Sequence, residues 1–114
     1  MGDNLSQHLY GRHPTKRFLF NQNTAATHQV VAAVPGKRIV LLNAFLKMAN
    51  GQTLTWITGT STAISGPMAF ATSDLFYAFG DDDQGILETN VGERLALTLG
   101  AATVVAGHGT YAEV

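Results

Sequence analysis

Cysteine is absent from the chain, which excludes disulfides, thiolate zinc sites and thiol nucleophiles at once. Charge is scarce. Only 13% of residues are Asp, Glu, Lys or Arg, where about 25% is ordinary for soluble domains. No apolar run approaches the roughly 18 residues of a membrane span, so no membrane partner is expected. The start, MGDNLSQHLYGRHPTKRF, is polar and lacks the apolar middle of a secretory signal, so export by that route is not expected either. Lys and Arg number 7 against 8 Asp and Glu, for a net charge of −1. A general nucleic-acid-binding domain is usually basic, so no nucleic-acid partner is expected.

What replaces the missing charge is Ala, Thr and Gly, which number 15, 13 and 12 among the 114 residues. A chain of this length makes one domain and buries roughly two thirds of its unfolded surface, enough for a modest core. Small domains have much surface, and charged side chains normally cover it. So few of them suggests that part of the surface is covered by something else, through self-association or docking on a large assembly.

Residues 1–25 read as an extended N-terminal arm rich in Asn, Gln, His and Thr, without a sustained period. Arg12, Lys16 and Arg17 oppose Asp3 there, so the arm is basic. Phe18-Leu19-Phe20 closes it with a short apolar patch. Two readings stand side by side: a terminus with one strand added to a sheet edge, or an arm that orders on a partner. In the second, Arg12, Lys16, Arg17, Phe18 and Phe20 contact a large assembly or a neighbouring subunit, with the aromatics as anchors.

From residue 26 onward the chain reads as one all-β domain. Apolar, Thr-rich runs of four to eight residues alternate with Gly, Pro, Asn and Asp. Strands are expected near His28–Val34, Lys37–Met48, Thr53–Thr58, Gly66–Ala71, Leu75–Phe79, Ile86–Thr89, Arg94–Leu99, Thr103–Ala106 and Gly109–Val114. Pro35-Gly36 is a turn, because proline presets one dihedral and glycine accepts positive φ beside it. Asn50-Gly51 between two apolar runs is the strongest hairpin signal, and Gly107-His108-Gly109 reads as another turn. Many short strands at this spacing mean a sandwich or barrel.

Arg94–Leu99 alternates cleanly, with Leu95, Leu97 and Leu99 on one side. Lys37–Met48 does not: Ile39, Leu41 and Phe45 occupy one parity, Val40, Leu42, Ala44, Leu46 and Met48 the other. A strand apolar on both faces should be covered on both. A neighbouring subunit is one explanation, with Ile39, Leu41, Leu42 and Phe45 as core or oligomer contacts. A bulge that switches the facing mid-strand and a helical stretch are the others.

Chemistry-bearing motifs are weak. His8, His13, His28 and His108 show no metal-ligand spacing, so no metal or cofactor is expected. Asp81-Asp82-Asp83 lacks the spacing of a calcium loop and reads as a solvated acidic tip. Gly36-Lys37 lacks the first glycine and the Ser or Thr of a phosphate loop. Neither a nucleophile elbow nor a triad order is present, and no enzymatic activity is expected. Trp56, Tyr77 and Tyr111 form a candidate sugar platform, although buried aromatics of a sandwich core are the commoner fate.

Four segments together resemble a known family: Val30-Val31-Ala32-Ala33-Val34-Pro35-Gly36-Lys37-Arg38-Ile39, Thr58-Gly59-Thr60-Ser61-Thr62-Ala63-Ile64-Ser65-Gly66-Pro67-Met68, Glu88-Thr89-Asn90-Val91-Gly92-Glu93-Arg94-Leu95-Ala96-Leu97 and Gly109-Thr110-Tyr111-Ala112-Glu113-Val114. Their order is similar to that in small β-sandwich virion structural proteins of tailed bacteriophages. The resemblance covers residues 28–114 and leaves out the arm. It implies a capsid decoration (cement) protein, or a tail, fibre or spike component. Such a protein would have an antiparallel, jelly-roll-like β-sandwich as its subunit, associate as a homotrimer and bind the major capsid protein on the virion surface. It implies no catalytic residue.

Overall fold

The computed structural model describes residues 9–10, 13–80 and 85–114 of the chain. Among the described residues there is no helix, and eleven strands form two antiparallel sheets. They are β1 (Leu9–Tyr10), β2 (His13–Gln22), β3 (Thr27–Val31), β4 (Ile39–Met48), β5 (Gln52–Thr58), β6 (Thr62–Ala63), β7 (Met68–Phe70), β8 (Leu75–Phe79), β9 (Leu87–Glu88), β10 (Leu95–Leu99) and β11 (Val105–Glu113). One sheet runs β1-β2-β11-β4-β8, with β9 also on β4; the other runs β3-β10-β5-β6, with β7 also on β5. The result is an all-β, sandwich-like body of 47 × 27 × 19 Å.

The core lies between the sheets. Leu95, Leu97 and Leu99 of β10 line the inner face of their sheet beside Leu54 and Trp56 of β5 and pack with Ile39, Leu41, Leu46, Met48 and Val105 of the six-stranded sheet. All of these are essentially inaccessible to water, and each large side chain so buried stabilises the fold by about 1.5–3 kcal/mol before entropic costs.

Residues 13–22 are not a free arm. They form β2, paired with β11 over eight residues, and Phe18 and Phe20 are buried in the core. The aromatic anchors assigned to a partner are therefore spent inside the chain. Their neighbour Leu19 is 84% exposed, so Phe18-Leu19-Phe20 is a short in-out-in alternation, too brief to stand out from an apolar run.

Gly107-His108-Gly109 is likewise not a turn. It lies within the nine-residue β11, which joins the two segments expected as separate strands. The glycines serve close packing. A Cβ on Gly109 would overlap the Phe18 ring and the Asn43 carbonyl oxygen, and one on Gly107 would overlap the Phe45 carbonyl oxygen. Phe18 is the cross-strand partner of Gly109, and Phe20 that of Gly107. The space left at Gly109 is available to the Phe18 ring, and that at Gly107 to the backbone of β4.

The doubly apolar run in β4 arises from a bulge. Thr110 pairs with Asn43 and Tyr111 with Leu41, leaving Leu42 as the extra residue. Such an insertion switches the inward parity. Ile39 and Leu41 face the core before it, and Ala44, Leu46 and Met48 after it. On the other side, Val40 and Leu42 join Ala112 in a second small cluster, buried within the single chain. Of the apolar residues in this strand, Phe45 points outward.

Asn50-Gly51 does not make a hairpin. It links β4 to β5, which belong to different sheets. The chain reverses there without its two strands pairing, and the buried Gln52 anchors the crossing. Its amide donates to the Ala101 carbonyl at 2.8 Å and accepts from Ala101 N–H at 2.8 Å. Pro35-Gly36 is a turn as expected, with Gly36 at φ 75° and Lys37 N–H donating to Val34 O at 3.1 Å.

Candidate interaction surface

The segments that carry the family resemblance turn out to hold the sandwich together. Thr89, 1% exposed, accepts the Ile39 N–H through Oγ1 at 2.9 Å and returns its own N–H to Ile39 O at 3.0 Å. The Thr58 hydroxyl donates to Glu93 Oε1 at 2.8 Å and accepts Asn90 N–H at 2.9 Å. Arg94 Nε donates to Gly59 O at 2.8 Å. Ser65 Oγ accepts the Trp56 N–H at 2.9 Å. These bonds satisfy buried or half-buried backbone groups that would otherwise cost about 1–3 kcal/mol each. Their residues are occupied structurally.

The histidines do not converge. Among the described residues no group of three or more His, Cys, Asp or Glu could hold a metal ion. His28 Nε2 lies 2.8 Å from Thr24 O, and its ring meets Phe20 edge-on at 6.3 Å. His13 lies on β2 and His108 on β11. His8, Arg12 and Asp81-Asp82-Asp83 lie outside the described residues.

Trp56 is 1% exposed, with its ring 5.9 Å from Phe76. Its indole N–H is buried without a hydrogen-bond partner. This overturns the sugar platform as drawn from the sequence: Trp56 faces the core, Tyr111 packs half-buried against that core, and only Tyr77 is well exposed.

The basic residues of the amino-terminal region separate. Lys16 Nζ forms an ion pair with Glu113 Oε1 at 3.0 Å, whereas Arg17 is exposed on β2. Of the strand residues assigned to core or oligomer contacts, Ile39 and Leu41 belong to the main core and Leu42 to the second cluster.

Phe45 leads to the feature sequence reasoning missed. Across the outer face of the six-stranded sheet, Leu19 pairs with His108, His108 with Phe45, and Phe45 with Tyr77. This row crosses β2, β11, β4 and β8 in register. The His108 ring stacks on Phe45 at 5.7 Å and 16°. Tyr77 meets Phe45 edge-on at 5.8 Å, and Phe79 meets Tyr77 edge-on at 5.2 Å. Tyr77 and Phe79 are each 65% exposed. The row above holds Arg17, Thr110, Asn43 and Phe79; the row below holds Asn21, Ala106, Lys47 and Leu75. Arg17 and Lys47 are the charged residues in these three rows, and no carboxylate is among them. One sequence signal was available. Leu75-Phe76-Tyr77-Ala78-Phe79 is apolar on both parities, like the run that raised the question of coverage in β4. Compared with known proteins, the chain matches no family model, no curated protein and no solved structure.

Proposed function

We propose that the chain is a non-enzymatic structural protein of tailed-bacteriophage virions, a capsid decoration (cement) protein that sits on the head as a symmetric trimer. The observation that carries this reading is the ordered set of four segments resembling such proteins. The low charge and the exposed apolar row agree with a protein that buries its surface in an assembly. In this proposal the strand connections are jelly-roll-like, the partner is the major capsid protein, and synthesis takes place in the host cytoplasm.

Mechanistically, the oligomer would bridge junctions between capsid subunits, so that losing one subunit requires breaking several contacts. Each contact can be modest, because linked sites act through effective concentration. Arg12 and Arg17 are the basic residues left to meet the capsid, since Lys16 is paired with Glu113 and Phe18 and Phe20 are in the core.

The test is to locate an affinity-labelled full-length chain on purified particles and to add it to heads that lack it. Label on the head surface, with a higher temperature for genome release, is the expected result. Label confined to tails or fibres would replace this reading with that of a tail, fibre or spike component. Absence from particles would overturn both.

A further inference from the structure

We infer that the outer face of the six-stranded sheet, centred on Leu19, His108, Phe45 and Tyr77 with Phe79 and Leu75 beside them, is where copies of this chain pack against one another. The inference deepens the symmetric-oligomer part of the proposed function and rests on that reading for its biological setting.

Area is the first argument. Leu19 is 84% exposed, Tyr77 and Phe79 65%, Leu75 46% and Phe45 37%. At roughly 200 Å² per large side chain this amounts to roughly 600 Å² of apolar surface on one face. That is the upper end of what a monomer leaves in a single patch. Contributed by two copies it gives about 1,200 Å², the threshold of specific, stable interfaces, before any polar rim is counted. The patch is thus large enough for a copy of itself.

The second argument is the exposed edge beside it. Met48 N–H donates to Asp74 O at 2.9 Å, and Gly80 N–H donates to Leu42 O at 2.7 Å. With the ladder between β4 and β8 in that phase, the backbone groups of Leu75, Tyr77 and Phe79 point away from β4. Among the described residues no strand pairs along that far edge. Leu75–Phe79 itself has neither charge nor proline, two of the devices by which proteins keep exposed edges from pairing. Among the described residues, the outward backbone groups of these three have no strand partner, and their side chains are 46–65% exposed.

Charge separates a second copy from an acidic partner. Among the described residues, Arg17 and Lys47 flank the apolar row and outnumber Asp74, the exposed carboxylate next to Leu75, so two copies would bring net like charge together at the rim. Added salt screens that repulsion and strengthens a self-contact, whereas it weakens attachment to an acidic surface.

Light scattering behind a sizing column, run on the full chain across concentration and salt, reads the outcome. The expected mass is two or three times the 12.1 kDa of one chain, maintained or raised by salt. Leu19→Lys and Tyr77→Lys should each weaken association roughly thirtyfold or more, as expected for central contacts. Val91→Lys, at an exposed apolar residue outside these rows, should not change it. Because the chain has no cysteine, Leu19→Cys adds a probe that does not depend on the lysine variants folding. Its thiol should be protected from a maleimide at high protein concentration and reactive on dilution. A single-chain mass throughout, an oligomer indifferent to both lysine variants, or a thiol equally reactive at every concentration would overturn the inference. A monomer that still decorates heads would overturn it while leaving the proposed function standing. An oligomer built on this face but absent from particles would do the reverse.

Discussion

The two sheets present opposite solutions to the same problem. On the outer face of the five-stranded sheet, Thr27, Thr98 and Thr55 form a cross-strand row, and the Thr27 and Thr98 hydroxyls share a hydrogen bond of 2.7 Å. Short side chains of this kind satisfy one another or water, and such a row needs no cover. The corresponding row on the six-stranded sheet is Leu19, His108, Phe45 and Tyr77. Its rings contact each other, yet much of their surface remains exposed. Of these two rows, one is finished for water and one gains free energy on being covered.

That contrast can be broken from the inside first. Phe18→Ala should cost about 3–5 kcal/mol in denaturant unfolding, because the ring packs over Gly109 in the core. A change near zero would return residues 13–22 to the status of an arm. Cutting off residues 1–20 should for the same reason unfold the chain rather than merely loosen its attachment. Leu97→Ala, at a fully buried position, should cost about 2–5 kcal/mol by the same measurement.

Smaller effects sharpen the comparison between the faces. Thr27→Ala on the five-stranded sheet removes one hydroxyl pair and should cost about 0.5–1.5 kcal/mol, with no change in solution mass. Tyr77→Lys should differ in the second readout. Loss of its ring contacts with Phe45 and Phe79 should cost the single chain about 0.5–1.5 kcal/mol, and the solution mass should fall as well. Equal behaviour of these two variants in both assays would erase the distinction between the faces. The smallest effect is expected for Glu113→Ala. Its partner Lys16 is 49% exposed, and solvent-exposed ion pairs contribute about 0–1 kcal/mol, read as a melting shift that added salt reduces.

The sandwich class was legible because strand-length apolar runs, Thr enrichment and Gly/Pro punctuation are local signals. The alternation of Leu95, Leu97 and Leu99 placed a core strand correctly, and Pro35-Gly36 placed a turn. Elsewhere one residue type served two physical ends. Glycine permits a turn, but in Gly107 and Gly109 it permits close approach of Phe45, Asn43 and Phe18. Asn50-Gly51 specifies a reversal, but pairing of the strands on either side depends on which sheet each one joins. The apolar parity of β4 could not be assigned to bulge or partner until the register against β11 was known. The outer row was legible only at Tyr77, through the doubly apolar run Leu75–Phe79, because Leu19, Phe45, Tyr77 and His108 lie on four different strands.

The sequence by itself determined an all-β chain with a small aliphatic core, no thiol chemistry and few charged residues. Periodicity and composition suffice for that, since they depend on residues near one another in the chain. Only the tertiary structure decided that Phe18 and Phe20 belong to the core and that Leu42 is a bulge. It alone assembled Leu19, His108, Phe45 and Tyr77 into one face. Those outcomes depend on strand order and cross-strand register, which are set by which distant segments pack together and not by any segment alone.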